Sequence, residues 1–155
     1  MLAESGQGNV LQITPLYGEM PFSEQQQAIL PGNRRKVVLA TAIAETSLTI
    51  EGIRVVIDCG LSRRVRFDHA SAMNRLVTVR ESRASAEQRK GRAGRLGPGV
   101  CYRLFSRHTL QAMTPHTPAE MLESDLSAFL LELKMWGCGD PSELNWLEPP
   151  STSSI

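Results

Sequence analysis

Lys36-Val37-Val38-Leu39-Ala40-Thr41-Ala42-Ile43-Ala44-Glu45-Thr46-Ser47-Leu48-Thr49-Ile50 is an unalternating apolar run that passes directly into a polar stretch rich in hydroxyls. Such a run suits a strand buried on both faces, as in a parallel sheet. In open α/β sheets ligands sit beyond the carboxyl ends of the strands, which is where Thr41 falls. Thr41, Thr46, Ser47 and Thr49 offer hydroxyls to phosphate or ribose there; Thr and Ser also cap helices and form turns, so both readings stand. Arg54–Asp58, closed by Cys59-Gly60, is a second apolar run of the same kind. Lying about one helix's length of chain apart, the two predict a right-handed parallel crossover unit.

Upstream, residues 1–8 look like the last turn of a helix, and Val10–Thr14 alternates as a strand that ends at Pro15. Ser23–Leu30 reads as a short helix with Ser23 as N-cap and Pro31-Gly32 as its stop. Downstream, Arg64–Asp68 and Arg75–Val79 flank His69–Asn74 and predict an antiparallel hairpin. Its Arg64, Arg66 and Arg75 suit a nucleic-acid backbone, and Phe67 or Met73 could stack on bases or separate them. A plain surface hairpin accounts for the same residues.

The octet Gln88–Arg95 closes a predicted helix over 82–95, with Ser85 and Gln88 as a capping box in its first turn. Helical winding puts Gln88, Arg92 and Arg95 on one face, while Arg89 and Lys90 turn aside. Two guanidinium forks and an amide thus converge on one target, an arrangement suited to phosphate oxygens. Gly91 and Gly94 cost a helix interior roughly 1 kcal/mol each, which asks for a close backbone approach to something. A solvated basic helix is the plainer alternative. Beyond Gly97–Gly99, Val100–Phe105 returns as a strand, and Ala119–Trp136 carries Met121, Leu122, Leu126, Phe129, Leu130 and Leu133 at helical spacing, a core-facing stripe.

Charge is segregated along the chain. Residues 34–107 hold 16 of the 17 Lys and Arg against six acids, and both flanks are acidic, so the net charge of +1 conceals a basic middle. Fourteen of the basic residues are Arg, a bias toward forked recognition of phosphate, and a polyanionic partner follows; pairing with the acidic flanks accounts for the charge equally well. With 155 residues and 41% hydrophobic content, the chain can bury one ordinary core. No apolar run approaches 20 residues and no leader pattern opens the chain, so a soluble protein that is not exported is expected, without membrane contact. Cys59, Cys101 and Cys138 are odd in number and lack metal-ligand spacing, which predicts reduced thiols in the cytoplasm and no metal site.

Thr41–Ile50 resembles motif V, and Gln88–Arg95 motif VI, of the second RecA-like domain of DEAH-box ATP-dependent RNA helicases. The surrounding residues are most similar to the bacterial HrpB branch. The resemblance covers about residues 10–150, with several motifs in order and at the right spacing. It implies an α/β fold: a RecA-like parallel sheet with flanking helices over 1–107, an inserted β-hairpin, and a helix and linker over 108–150 toward a winged-helix domain. Residues 151–155 are expected to be a disordered tail.

By that resemblance, ATP lies between two RecA-like domains, and Gln88, Arg92 and Arg95 reach its γ-phosphate as arginine-finger elements. Ser47 senses the same phosphate, Glu51 meets the ribose, and Leu30 stands where relatives place an aromatic against the base. Thr41 holds an RNA phosphate, a contact that carries no sequence information. Ala42 departs from the usual Asn, and Ala119 from a frequent Pro. The chain has no G-x-x-x-x-G-K-[ST] loop and no DEAH tetrad. ATP and Mg²⁺ are therefore expected to be held mainly by a first RecA-like domain, with none bound by this chain alone, which reads as a piece of a larger enzyme. RNA is the expected partner, with DNA not distinguished by phosphate contacts. The competing reading is a stand-alone RNA-binding module, in which Gly91-Arg92-Ala93-Gly94 is a KH-type GxxG loop.

Overall fold

A computed structural model describes residues 11–46, 48–68 and 70–150. The expected helical turn over 1–8, the start of the first strand at Val10, Ser47, His69 and the tail over 151–155 lie outside those residues. The elements are β1 Leu11–Leu16, α1 Phe22–Ile29, β2 Arg35–Ala40, α2 Ile43–Thr46, β3 Val55–Asp58, β4 Leu61–Asp68, β5 Met73–Arg80, α3 Arg83–Ala93, β6 Val100–Arg103, α4 Arg107–Ala112 and α5 Ser127–Met135. The chain divides into two compact units, Met1–Ser62 with Arg80–His116, and Arg63–Val79 with Thr117–Ile155.

The first unit is built from two parallel strand pairs. β1 and β2 run in register from Leu11 opposite Arg35 to Leu16 opposite Ala40, joined through α1 as a β-α-β unit. Pro15, expected to end β1, sits inside it opposite Leu39, at the cost of one ladder donor. β3 pairs with β6 from Val55 opposite Val100 to Asp58 opposite Arg103, and α3 packs against both. The expected crossover between β2 and β3 is therefore corrected. Each takes a different parallel partner, because the chain between them carries only one turn, α2, which packs on α3 rather than bridging two strands.

Ser23 is not the N-cap of α1. Pro21 is, with its fixed φ at −53°, and its carbonyl accepts from the N–H groups of Glu24 and Gln25 at 3.0 and 3.1 Å. The far end of α1 is closed by Lys36 of β2. Its ammonium donates to Gln27 O at 2.7 Å, to Ala28 O at 3.3 Å and to Leu30 O, placing a cation where the last carbonyls collect negative charge.

α3 is capped three residues earlier than expected. Ser82 is the N-cap and accepts from Ser85 N at 3.1 Å, which frees the Ser85 hydroxyl for another partner. The helix ends at Ala93 with Gly94 as C-cap, so it stops before Arg95. Of the glycines around the end of α3, Gly99 is the one packing requires: a Cβ there would overlap Ala93 O, whereas Gly91 and Gly94 have nothing within 4 Å.

In the second unit, β4 and β5 form the expected hairpin. The single helix expected over 119–136 is corrected to a 3-10 turn, Glu120–Leu122, followed by α5. The Asp125 carboxylate accepts from Ser127 N at 2.9 Å and Ser127 Oγ at 2.7 Å, restarting the chain as a new helix. Leu126 and Leu133 are the buried members of the stripe, while Leu122 is exposed. Phe129 meets Trp146 edge to face, with ring centroids 5.8 Å apart.

Candidate nucleotide and nucleic-acid site

The first unit brings the segment after β2 onto α3. Thr41 is exposed one residue past the end of β2, and its N–H continues the ladder to Leu16 O at 3.0 Å. Glu45 in α2 then ties this segment down. Its carboxylate accepts from Ser85 Oγ at 2.5 Å and from Arg89 Nε at 3.1 Å. Arg92 adds a second tie by donating to the main-chain carbonyls of Glu45 and of Leu48, the latter at 3.1 Å. Side chain and backbone of one short segment are thus both held by one helix.

Arg89, set aside from the face of Gln88, Arg92 and Arg95, turns into the interior of the unit. Its Nη1 donates to Asp58 Oδ1 and to Leu61 O, each at 3.1 Å, and lies 2.6 Å from Glu81 Oε2. One largely buried guanidinium therefore gathers carboxylates from the end of β3, the entrance to α3 and α2. Burial opposes its charge, and Glu81, Glu45 and Asp58 outweigh that and raise its pKa. A signal for this was present in the sequence: Ser85, Ala86, Arg89 and Ala93 share one helical face, and three of the four are small. Ser85, Ala86 and Ala93 are indeed buried.

The side chains of Gln88 and Arg95 are exposed and make no hydrogen bond or ion pair among the described residues. Arg95 lies beyond α3, in a bend, so the face expected to carry Gln88, Arg92 and Arg95 together is interrupted before its last member. Glu51 is exposed in the turn it forms with Gly52, whose φ of +78° suits a residue without a Cβ. Leu30, 56% exposed, lines a cavity of about 490 Å³ with Gln12, Gln27 and Lys36. Ser47 lies outside the described residues.

The hairpin arginines of the second unit have intramolecular partners. Arg66 pairs with Glu123 at 2.5 Å, Arg64 lies 4.0 Å from the same carboxylate and donates to Thr117 Oγ1 at 3.0 Å, and Arg75 pairs with Asp68 at 3.0 Å. Asp68 is held below the usual carboxylate range by Ser71 and the Ala70 N–H, with Arg75 adding to them. The pairing of basic middle with acidic flank, left open by composition, is realised at Glu123.

Among the described residues no group of His, Cys, Asp and Glu is arranged to hold a metal, and the three cysteines are free thiols. Gly91 lies within α3, Gly94 caps it and β6 follows, so the two-helix setting of a KH loop is not present here.

Two parallel strand pairs, α3 packed on the β3–β6 pair, and the segment after β2 fixed to that helix fit a RecA-like α/β domain. The chain belongs to the family described as the helicase conserved C-terminal domain, whose model matches residues 2–97. It is 49% identical over 150 residues, 96% of its length, to the ATP-dependent RNA helicase HrpB of Escherichia coli. It is 41% identical over 92% of its length to the probable ATP-dependent RNA helicase DHX34 of Mus musculus, and 42% over 94% to HrpA of Borreliella burgdorferi. A solved structure of the E. coli DExH-box NTPase HrpB superposes with a TM-score of 0.86 over 95% of the chain, at 48% identity. The chain spans 18%, 13% and 18% of the length of these three curated relatives.

Proposed function

We propose that this chain works as the second RecA-like half of an ATP-dependent RNA helicase, supplying arginine fingers to ATP hydrolysis and part of the RNA track. The observation that carries the proposal is the tie of segment 41–48 to α3 through Glu45, Arg89 and Arg92. A segment proposed to meet nucleotide and RNA moves with the helix proposed to meet the γ-phosphate, which is what coupling hydrolysis to RNA requires.

Gln88 and Arg95 fit the anionic tail of a triphosphate, being exposed and uncommitted donors. Arg95 stabilises charge on the departing phosphoryl group, and Gln88 orients water or a phosphate oxygen. Arg92 spends donors on the loop and reaches the phosphate through the position it gives that loop. Ser47 and Glu51 serve the γ-phosphate and ribose, and Leu30 offers the base an apolar wall without ring stacking. The sequence has no phosphate loop, so the triphosphate cradle and Mg²⁺ are assigned in this reading to a first RecA-like domain.

Thr41 takes an RNA phosphate. Arg64, Arg66 and Arg75 meet the backbone only by exchanging their carboxylate partners for phosphate, so their contribution falls steeply with salt. The remaining parts of the proposal are a winged-helix neighbour after 108–150 and work in the cytoplasm. Three free thiols agree with the latter, and no helix among the described residues is long and apolar enough to cross a membrane.

The test is ATP turnover. The purified chain alone should hydrolyse none, and joining it to a first RecA-like domain should give hydrolysis stimulated by RNA. Stimulation by single-stranded DNA to the same degree would widen the track to both nucleic acids. Turnover by the chain alone would overturn the half-site reading.

A further inference from the structure

We propose that Glu81 is a proton-dependent positioning residue: by sharing a proton with Asp58 it sets the charge around Arg89, and thereby how firmly Glu45 ties the segment after β2 to α3. Three carboxylates face one guanidinium in this cluster. The side chains of Asp58 and Glu81 are fully buried, and that of Glu45 is 13% exposed. With all three ionised, the pocket holds two negative charges in excess, at a depth where water screens little.

Hydrogen bonding points to where a proton sits. Arg89 approaches Glu81 Oε2 as an ion contact, and among the described residues neither Glu81 oxygen accepts a hydrogen bond. Asp58 Oδ2 is also buried without a hydrogen-bond partner among the described residues, although its Oδ1 accepts from Arg89 and from Gly60 N at 3.0 Å. A proton on Glu81 turns one of these orphaned oxygens into a donor and another into its acceptor, and removes one excess charge. Burial is the largest cause pushing Glu81 up, to about 7, followed by Asp58, with Arg89 opposing both.

The charged groups facing the pair are Glu45 from α2 and Arg89 from α3. β6 adds Cys101 and Arg103 on the Asp58 side, with Arg103 committed to Glu87 at 2.7 Å and to Ala86 O. Of the three acids Glu45 has the weakest anchorage, a helix of four residues. Asp58 closes a paired strand, and the N–H of Glu81 donates to Gly60 O at 3.2 Å. When Glu81 loses its proton to solvent, repulsion is relieved at Glu45, and the segment that Glu45 holds loosens. The consequence for catalysis rests on the function proposed above; the shared proton does not.

Nuclear magnetic resonance on the whole chain, with glutamate carboxyl carbons labelled, tests this over pH 4 to 9. One glutamate carboxyl should titrate near neutrality and vanish in Glu81→Gln. The amide signals of Glu45 and Leu48 should follow the same midpoint and be flat in that variant. Asp58→Asn should move the Glu81 midpoint down, an effect that a loss of packing alone does not produce. All glutamates titrating below pH 5.5 in the unaltered chain overturns the proposal without any variant. Amide titrations that persist in Glu81→Gln assign the change to another group and overturn it too. In the assembled helicase, the pH profile of ATP turnover should show the same inflection, lost in Glu81→Gln. Absent turnover with an intact titration removes the functional reading and leaves the proton.

Discussion

Glu81 is one of three acids in the carboxylate cluster around Arg89, and its environment decides how the protein responds to pH. A carboxyl that holds its proton more tightly when folded than when unfolded adds stability that is complete below the ordinary carboxylate value of 4.5 and is lost as pH rises through about 7. In urea denaturation, the chain should therefore lose on the order of 2 kcal/mol relative to Glu81→Gln between those limits. Parallel stability curves for the two proteins would refute it. Glu87 has the opposite sign: Arg103, and then Lys90, hold it below its usual value, so its contribution is present above that value and fades as pH falls through the lowered one. Its exposure keeps that contribution small. Lys36 makes a second residue-level case. Lys36→Met should cost about 1 to 2 kcal/mol by leaving the last carbonyls of α1 without their cation. An unchanged denaturation midpoint would show that water replaces it. Neither residue was legible as a site, because Glu81 and Lys36 act on groups whose proximity is set by packing, not by spacing along the chain.

α3 is the element on which both proposals turn, and its glycines separate packing from function. Gly99→Ala, after the helix, drives a Cβ into Ala93 O and should destabilise by roughly 3 kcal/mol, or prevent folding. Gly91→Ala meets open space in a helix interior and should stabilise by about 0.5 to 1 kcal/mol in thermal unfolding. If Gly91 serves the approach of a nucleotide or partner domain, the stabilised variant should still lose ATP turnover in the assembled helicase. Full activity would show that the glycine has no such role. The strands β2 and β3, the hairpin and α3 itself were legible from apolar runs, alternation and capping residues, since those signals are local. The helix over 119–136 was misread because its apolar spacing fits two short helical segments as well as one long one. The break falls at Asp125, whose carboxylate accepts from Ser127 N just before α5. What Arg89 turns toward was not read from the sequence, although its helical neighbours Ser85, Ala86 and Ala93 are all small and buried.

At the scale of the whole molecule, Arg92 and Arg95, both proposed to serve the γ-phosphate, are separable. In the assembled helicase, Arg95→Ala should leave the folded chain's stability within about 0.5 kcal/mol while slowing ATP turnover by roughly a thousandfold or more. Arg92→Ala should slow turnover and also loosen the segment it holds, read as lost amide protection at Glu45 and Leu48. Equal turnover for both variants and the unaltered enzyme would remove the finger assignment. The sequence by itself determined the α/β class, the placement of Thr41 at a strand's carboxyl end and the family to which the chain belongs, because buried runs, strand endings and motif spacing are written in contiguous residues. Only the tertiary structure decided that β2 pairs with β1 and β3 with β6, that Arg64, Arg66 and Arg75 are matched by carboxylates, and that Arg89 is the centre of a buried cluster. Those outcomes depend on which distant groups packing brings within a few ångströms, where burial strips away water and makes the balance between charges decisive.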